Sequence, residues 1–111
     1  MLYEIEFPDF VLDVAIPEGF DDSSYHNDVC PSFLNIPRRL QLYIDFADNN
    51  LREIPEMGRF CLIRTDEDGC ATDDMPLLET DDYNEITAYL NKPYINTTRV
   101  IAEFKNREGL V

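Results

Sequence analysis

Two long stretches of this chain, residues 1 to 37 and residues 65 to 82, contain no lysine or arginine. A surface built from them repels phosphate, which makes DNA, RNA and anionic lipid poor direct ligands. Histidine occurs once, at His26, in a polar stretch. One imidazole without a Ser or Cys partner at a suitable spacing specifies neither a catalytic triad nor a zinc site. The three cysteines, Cys30, Cys61 and Cys70, form no CxxC or Cys/His ligand spacing, and an odd number cannot all pair. Free thiols fit a reducing compartment. No apolar run approaches the roughly 18 residues of a membrane span. The first residues are acidic where a secretory signal would be basic and then apolar. These absences lead us to expect a soluble cytoplasmic protein with no cofactor, no metal and no membrane association. In that setting the sequon Asn96-Thr97-Thr98 has no glycosylation role.

What the two stretches do contain is acid. The first holds Glu4, Glu6, Asp9, Asp13, Glu18, Asp21, Asp22 and Asp28. The second holds Asp66, Glu67, Asp68, Asp73, Asp74, Glu79, Asp81 and Asp82. All nine basic residues lie elsewhere, where they are almost balanced by acids, and the net charge is −14 over 111 residues. Area scaling gives a domain of this size roughly 6,300 Å² of folded surface, or about one excess negative charge per 450 Å². That field steers a cationic protein at long range. With 44% hydrophobic residues, six Tyr and seven Phe, the acidity decorates a folded single domain and not a disordered chain.

Periodicity sketches the fold. Residues 2–7 alternate, with Tyr3, Ile5 and Phe7 opposite Leu2, Glu4 and Glu6, which predicts a half-buried strand. The β-branched run 10–16 predicts a second. Residues 17–37 concentrate Pro, Gly, Ser, Asp and Asn, which predicts a long acidic loop. The clearest strand lies at 38–47, with Leu40, Leu42, Ile44 and Phe46 on one face and Arg39, Gln41, Tyr43 and Asp45 on the other. Asp48-Asn49-Asn50 turns the chain. Residues 59–65 and those after Asp68-Gly69 read as a hairpin, the Gly supplying the positive φ of a tight reversal, which would set Cys61 near Asp74. A helix follows that Thr80, Asp81 or Asp82 can cap, Asp82 having Glu85 at capping-box spacing, with Tyr83, Ile86 and Leu90 on one face and its end at Pro93. Residues 97–105 alternate as a last strand. This order predicts an α+β domain with a mainly antiparallel sheet of five or six strands, one covering helix and the acidic loop.

Among the possible chemical sites, few survive inspection. General acid–base catalysis requires a carboxyl group set apart by burial or a close partner, and nothing in so acidic a sequence singles one out. Asp66-Glu67-Asp68-Gly69 has the composition of a calcium loop, but its register puts Arg64 at the first ligand position. Glu103-Phe104-Lys105 has the ExK spacing of some metal-dependent nucleases, in a protein whose charge opposes DNA approach. We therefore expect no enzymatic activity.

The remaining use for the acids is recognition. Carboxylates two residues apart on one strand face stand about 6.7 Å apart, close to the phosphate spacing of a nucleic-acid strand. As a strand, Glu4 and Glu6 would meet that geometry. In size and charge the chain is comparable to phage and mobile-element inhibitors of anti-CRISPR or anti-restriction type, and to immunity proteins that plug basic toxins. The expected partner is a basic protein surface, such as that of a nucleic-acid-binding enzyme. The candidate contacts are Glu4, Glu6, Asp21, Asp22, Asp66, Glu67, Asp68, Asp73 and Asp74, with Tyr25 as an aromatic anchor among them. The alternatives are neutralisation of a basic toxin, or acidity that serves solubility alone.

Overall fold

The alternation over 38–47 becomes the middle strand of an antiparallel sheet in a computed structural model that describes residues 1–92. Among the described residues the sheet has five strands in sequential order: β1 (Asp21–Asp22), β2 (Ser32–Asn35), β3 (Leu40–Ile44), β4 (Phe60–Arg64) and β5 (Leu78–Thr80). Every adjacent pair is antiparallel, and with the helix α2 (Tyr83–Leu90) the architecture is α+β. The expected sixth strand and the Glu103-Phe104-Lys105 triplet lie outside the described residues.

Register sorts the side chains into two faces, because residues opposed across a ladder point the same way. Phe33, Leu42, Leu62 and Leu78 form one row, flanked by Leu40 and by Ile44 with Phe60. Phe33, Leu42, Ile44 and Leu62 are fully buried. Over this inner face lies α2, whose Ile86 and Leu90 enter the core while Tyr83 packs its ring on Phe60 with centroids 4.9 Å apart. Asp82 caps the helix by accepting from the Asn84 N–H at 2.9 Å. The second row, Ser32, Tyr43, Cys61 and Glu79, and its neighbours Leu34, Gln41 and Ile63 make up the outer face. No helix among the described residues covers it, and none is long and apolar enough to cross a membrane.

Three segments depart from expectation. Residues Leu2–Glu6 form a short helix, α1, and not a strand. In a helix Tyr3 and Phe7 share a side at i and i+4, and both pack against the core while Ile5 stays exposed. Strand and helix share only the pairing of Tyr3 with Phe7 here, and the helix packs Tyr3 against Phe10 and Phe33 at the cost of leaving Ile5 in solvent. Residues 10–16 do alternate in burial, with Phe10, Leu12, Val14 and Ile16 turned toward the core, but the segment joins no ladder among the described residues. Residues 17–37, a loop by composition, supply β1 and β2, because Phe33 and the buried Ser32 give the stretch a real inner strand.

The hairpin turn is where it was expected, and its register is not. Gly69 has φ +89°. The turn closes with Thr65 bridging Ala71 and the Thr72 N–H donating to the Arg64 carbonyl at 3.3 Å, and the ladder then lapses until Leu77 donates to the Leu62 carbonyl. Cys61 consequently faces Glu79 and not Asp74. Thr72 diverts the chain: its hydroxyl donates to the Arg64 carbonyl and lies 3.2 Å from Asp74 Oδ2.

Candidate partner-binding surface

The second acidic block is organised by Asp66. Its Oδ1 accepts from the backbone N–H of Asp68 and of Cys70, both at 2.9 Å, and these bonds hold its carboxyl below the usual carboxylate range. A carboxylate spent on its own turn is a scaffold for the acids beside it. Glu67, Asp68 and Asp73 are exposed, and their carboxylates have no hydrogen-bond or ion-pair partner among the described residues. Asp74 is partly engaged, by Thr72 and by Arg64 Nε at 3.9 Å. Gly69 packs this turn on Leu34, where an added Cβ would stand 3.0 Å from the Leu34 side chain. Leu34 is also the ladder partner of exposed Asp21. The fold thus brings Asp21 and the Asp66 turn to one residue on the outer face, a meeting that sequence spacing does not foretell.

The N-terminal acids are used differently. Asp22 Oδ2 accepts from the Tyr3 N–H at 2.7 Å and Oδ1 from the Ser24 N–H at 3.0 Å, which ties α1 to the edge strand. Glu6 Oε1 accepts from both the backbone N–H and the ring Nδ1 of His26, each at 2.9 Å, and the His26 bonds lower its pKa. Glu4 takes the N-terminal ammonium at 2.6 Å. Because α1 is a helix, Glu4 and Glu6 point to different sides, and the phosphate-like spacing expected of a strand is lost. Tyr25 is half-exposed, stacked near His26 at 4.7 Å between ring centroids, and its hydroxyl accepts from Asn27.

Elsewhere the acids serve the fold. Asp13 receives a forked pair of bonds from the Arg59 guanidinium, which holds its carboxyl low. Asp81 accepts from the Arg59 N–H at 2.8 Å and Glu79 from the Gly58 N–H at 2.8 Å, so both pin the 52–59 segment to β5. Buried Arg52 completes that arrangement by donating to the carbonyls of Phe46, Ala47 and Met57. Gly58 is required there, since a Cβ would meet the Thr80 backbone at 2.9 Å.

All three cysteines are free thiols: Cys30 is buried, Cys61 half-buried and Cys70 exposed. Burial pushes the Cys30 and Cys61 thiols up, which keeps them protonated and unreactive.

Sequence reasoning missed the apolar character of the outer face, where Val29, Tyr43, Ile54, Met57, Cys61 and Ile63 line a groove. The available signal was Tyr43, Cys61 and Ile63 at positions that alternation assigns to solvent. No family model matches the chain, and neither a curated protein nor a solved structure is similar to it.

Proposed function

We propose that this is an acidic binding protein that occupies the basic, nucleic-acid-binding surface of another protein by offering carboxylates where that surface receives phosphates. The observation that carries the reading is the Asp66 turn, which presents Glu67 and Asp68 from a backbone already fixed by hydrogen bonds. Charges held in place lose less conformational entropy on binding than charges on a free loop. A net charge of −14 adds long-range attraction for such a partner and repulsion for nucleic acid itself. Inhibition of phage-defence machinery is the setting in which such mimicry would be most useful.

Competition tests it. Proteins captured on the immobilised chain at low salt should be displaced by DNA or RNA, and should release as salt rises. Capture that nucleic acid leaves unchanged overturns the mimicry. The same reading assigns the protein no hydrolytic chemistry, so a metal-supplemented sample should leave DNA intact. Cleavage that disappears in Glu103→Ala is the contrary result.

A further inference from the structure

The groove on the outer face encloses about 170 Å³. Its base is the cross-strand pair Tyr43 and Cys61 with Ile63 beside them, and the 53–58 segment forms one wall. Val29, Ile54 and Met57 along it are 46%, 48% and 40% exposed, an apolar surface open to solvent. Into this apolar setting comes Asp45, only 9% exposed. Its Oδ1 accepts from the Phe46 N–H at 2.8 Å, and neither oxygen has an ion-pair partner within 4.0 Å among the described residues. Burial raises its pKa.

The nearby cations are committed elsewhere. Arg59 holds Asp13 with its fork and the Asp45 carbonyl, not its carboxylate, with Nε. Arg52 is spent on three carbonyls and on Asp81 at 3.6 Å. Glu53 and Arg59 also line the groove; Glu53 adds a second negative charge, and the Arg59 guanidinium is neutralised by Asp13, so the groove keeps a negative balance. Arg52 and Arg59 attract the Asp45 carboxylate only from beyond ion-pair contact, and burial outweighs them. A nearly buried carboxylate with no cation in contact weakens the fold that carries it, and such local costs concentrate at functional positions.

Size narrows the occupant. Pockets for small organic ligands span about 300–1,000 Å³, so this groove suits a single long side chain. An apolar floor ending at carboxylates matches a side chain with an aliphatic stem and a cationic head. We propose that the groove receives one arginine or lysine of a basic protein partner, its stem on Tyr43, Cys61 and Ile63 and its head at Asp45 and Glu53. The inference rests on the partner being basic, as above, and adds the desolvated anchor that exposed ion pairs lack. Tyr43 contributes further if the head passes over its ring.

The test uses the full chain, methyl-labelled, titrated at low salt with an oligo-arginine peptide. Resonances of Val29, Ile54, Met57 and Ile63 should shift on binding. Asp45→Asn, which keeps the acceptor for the Phe46 N–H, should abolish those shifts and weaken binding about tenfold or more. If the peptide binds but the groove methyls stay still, and Asp45→Asn binds as the parent does, the groove is not the anchor while the basic-partner reading survives. No binding at low salt overturns both. Methyl shifts that appear on concentrating the protein without peptide assign the groove to a second copy of the chain instead.

Discussion

The two base-free blocks hold eight acids each and deploy them differently. In the N-terminal block, Glu4, Glu6, Asp13 and Asp22 hold the terminal ammonium, the His26 segment, Arg59 and α1, while Asp9, Glu18, Asp21 and Asp28 have no side-chain partner among the described residues and stand apart from one another along the chain. In the second block Asp74, Glu79, Asp81 and Asp82 also serve the fold, but Asp66 organises a turn that leaves Glu67, Asp68 and nearby Asp73 facing solvent within eight residues of one another. The difference lies in what surrounds each carboxylate. Near the N-terminus unsatisfied backbone N–H groups and Arg59 are within reach, whereas the turn satisfies its own donors with a single side chain. Acid content therefore does not measure how much charge a partner can use.

The largest expected effect separates the blocks by affinity. Replacing Asp66, Asp68, Asp73 and Asp74 with Asn and Glu67 with Gln removes five charges, and the amide oxygen introduced by Asp66→Asn still accepts from the turn. Affinity for a basic partner should fall by about two orders of magnitude at low salt. Thermal stability should barely move. An unchanged affinity would transfer the binding role to the N-terminal block or to neither.

Asp22→Ala should behave the other way. Two backbone donors lose their acceptor, which costs about 2 kcal/mol and lowers Tm by about 10 °C. Partner affinity, measured below the new Tm, should stay close to that of the parent. A variant that is fully stable and binds poorly would make Asp22 a contact and not a tie.

Within the second block, Asp82→Ala should cost about 1 kcal/mol through loss of the α2 cap, readable in a urea titration. Equal stability of variant and parent would mean that Ile86 and Leu90 hold the helix start without the cap.

The smallest effects are those of pH. Glu6 is held low by His26, Asp13 by Arg59 and Asp66 by the Cys70 and Asp68 N–H groups. Each stabilises the fold above its unfolded pKa, about 4, and that contribution disappears as pH falls through the lower folded value. Asp45 has the opposite sign: burial raises its folded pKa, so its charge weakens the fold at neutral pH and the loss is relieved on protonation. Asp45→Asn should therefore melt above the parent at pH 7, with the gap closing on acidification. A gap that persists unchanged in acid would exclude titration of Asp45 as its cause.

Much of this molecule was legible in the order of its residues. The strand Leu40–Ile44 inside the expected 38–47, the positive φ of Gly69 and a cap among Thr80, Asp81 and Asp82 each follow from local pattern, because the side chains and backbone angles involved lie within a few residues of one another. So did the α+β class with its antiparallel sheet. The uses of the acids were not legible in that way. Asp22 meets Tyr3 across 19 residues and Arg59 meets Asp13 across 46, and no local periodicity encodes such pairs. Residues 2–7 alternate as a strand does, yet they form a helix that packs Tyr3 on Phe10 and Phe33 and leaves Ile5 exposed. Composition alone set the sign and strength of the field, since charge is additive over the chain. Which carboxylates remain available, and that Asp45 lies nearly buried beside an apolar groove, was settled by tertiary contacts, because desolvation and hydrogen bonding depend on neighbours that the fold alone assembles.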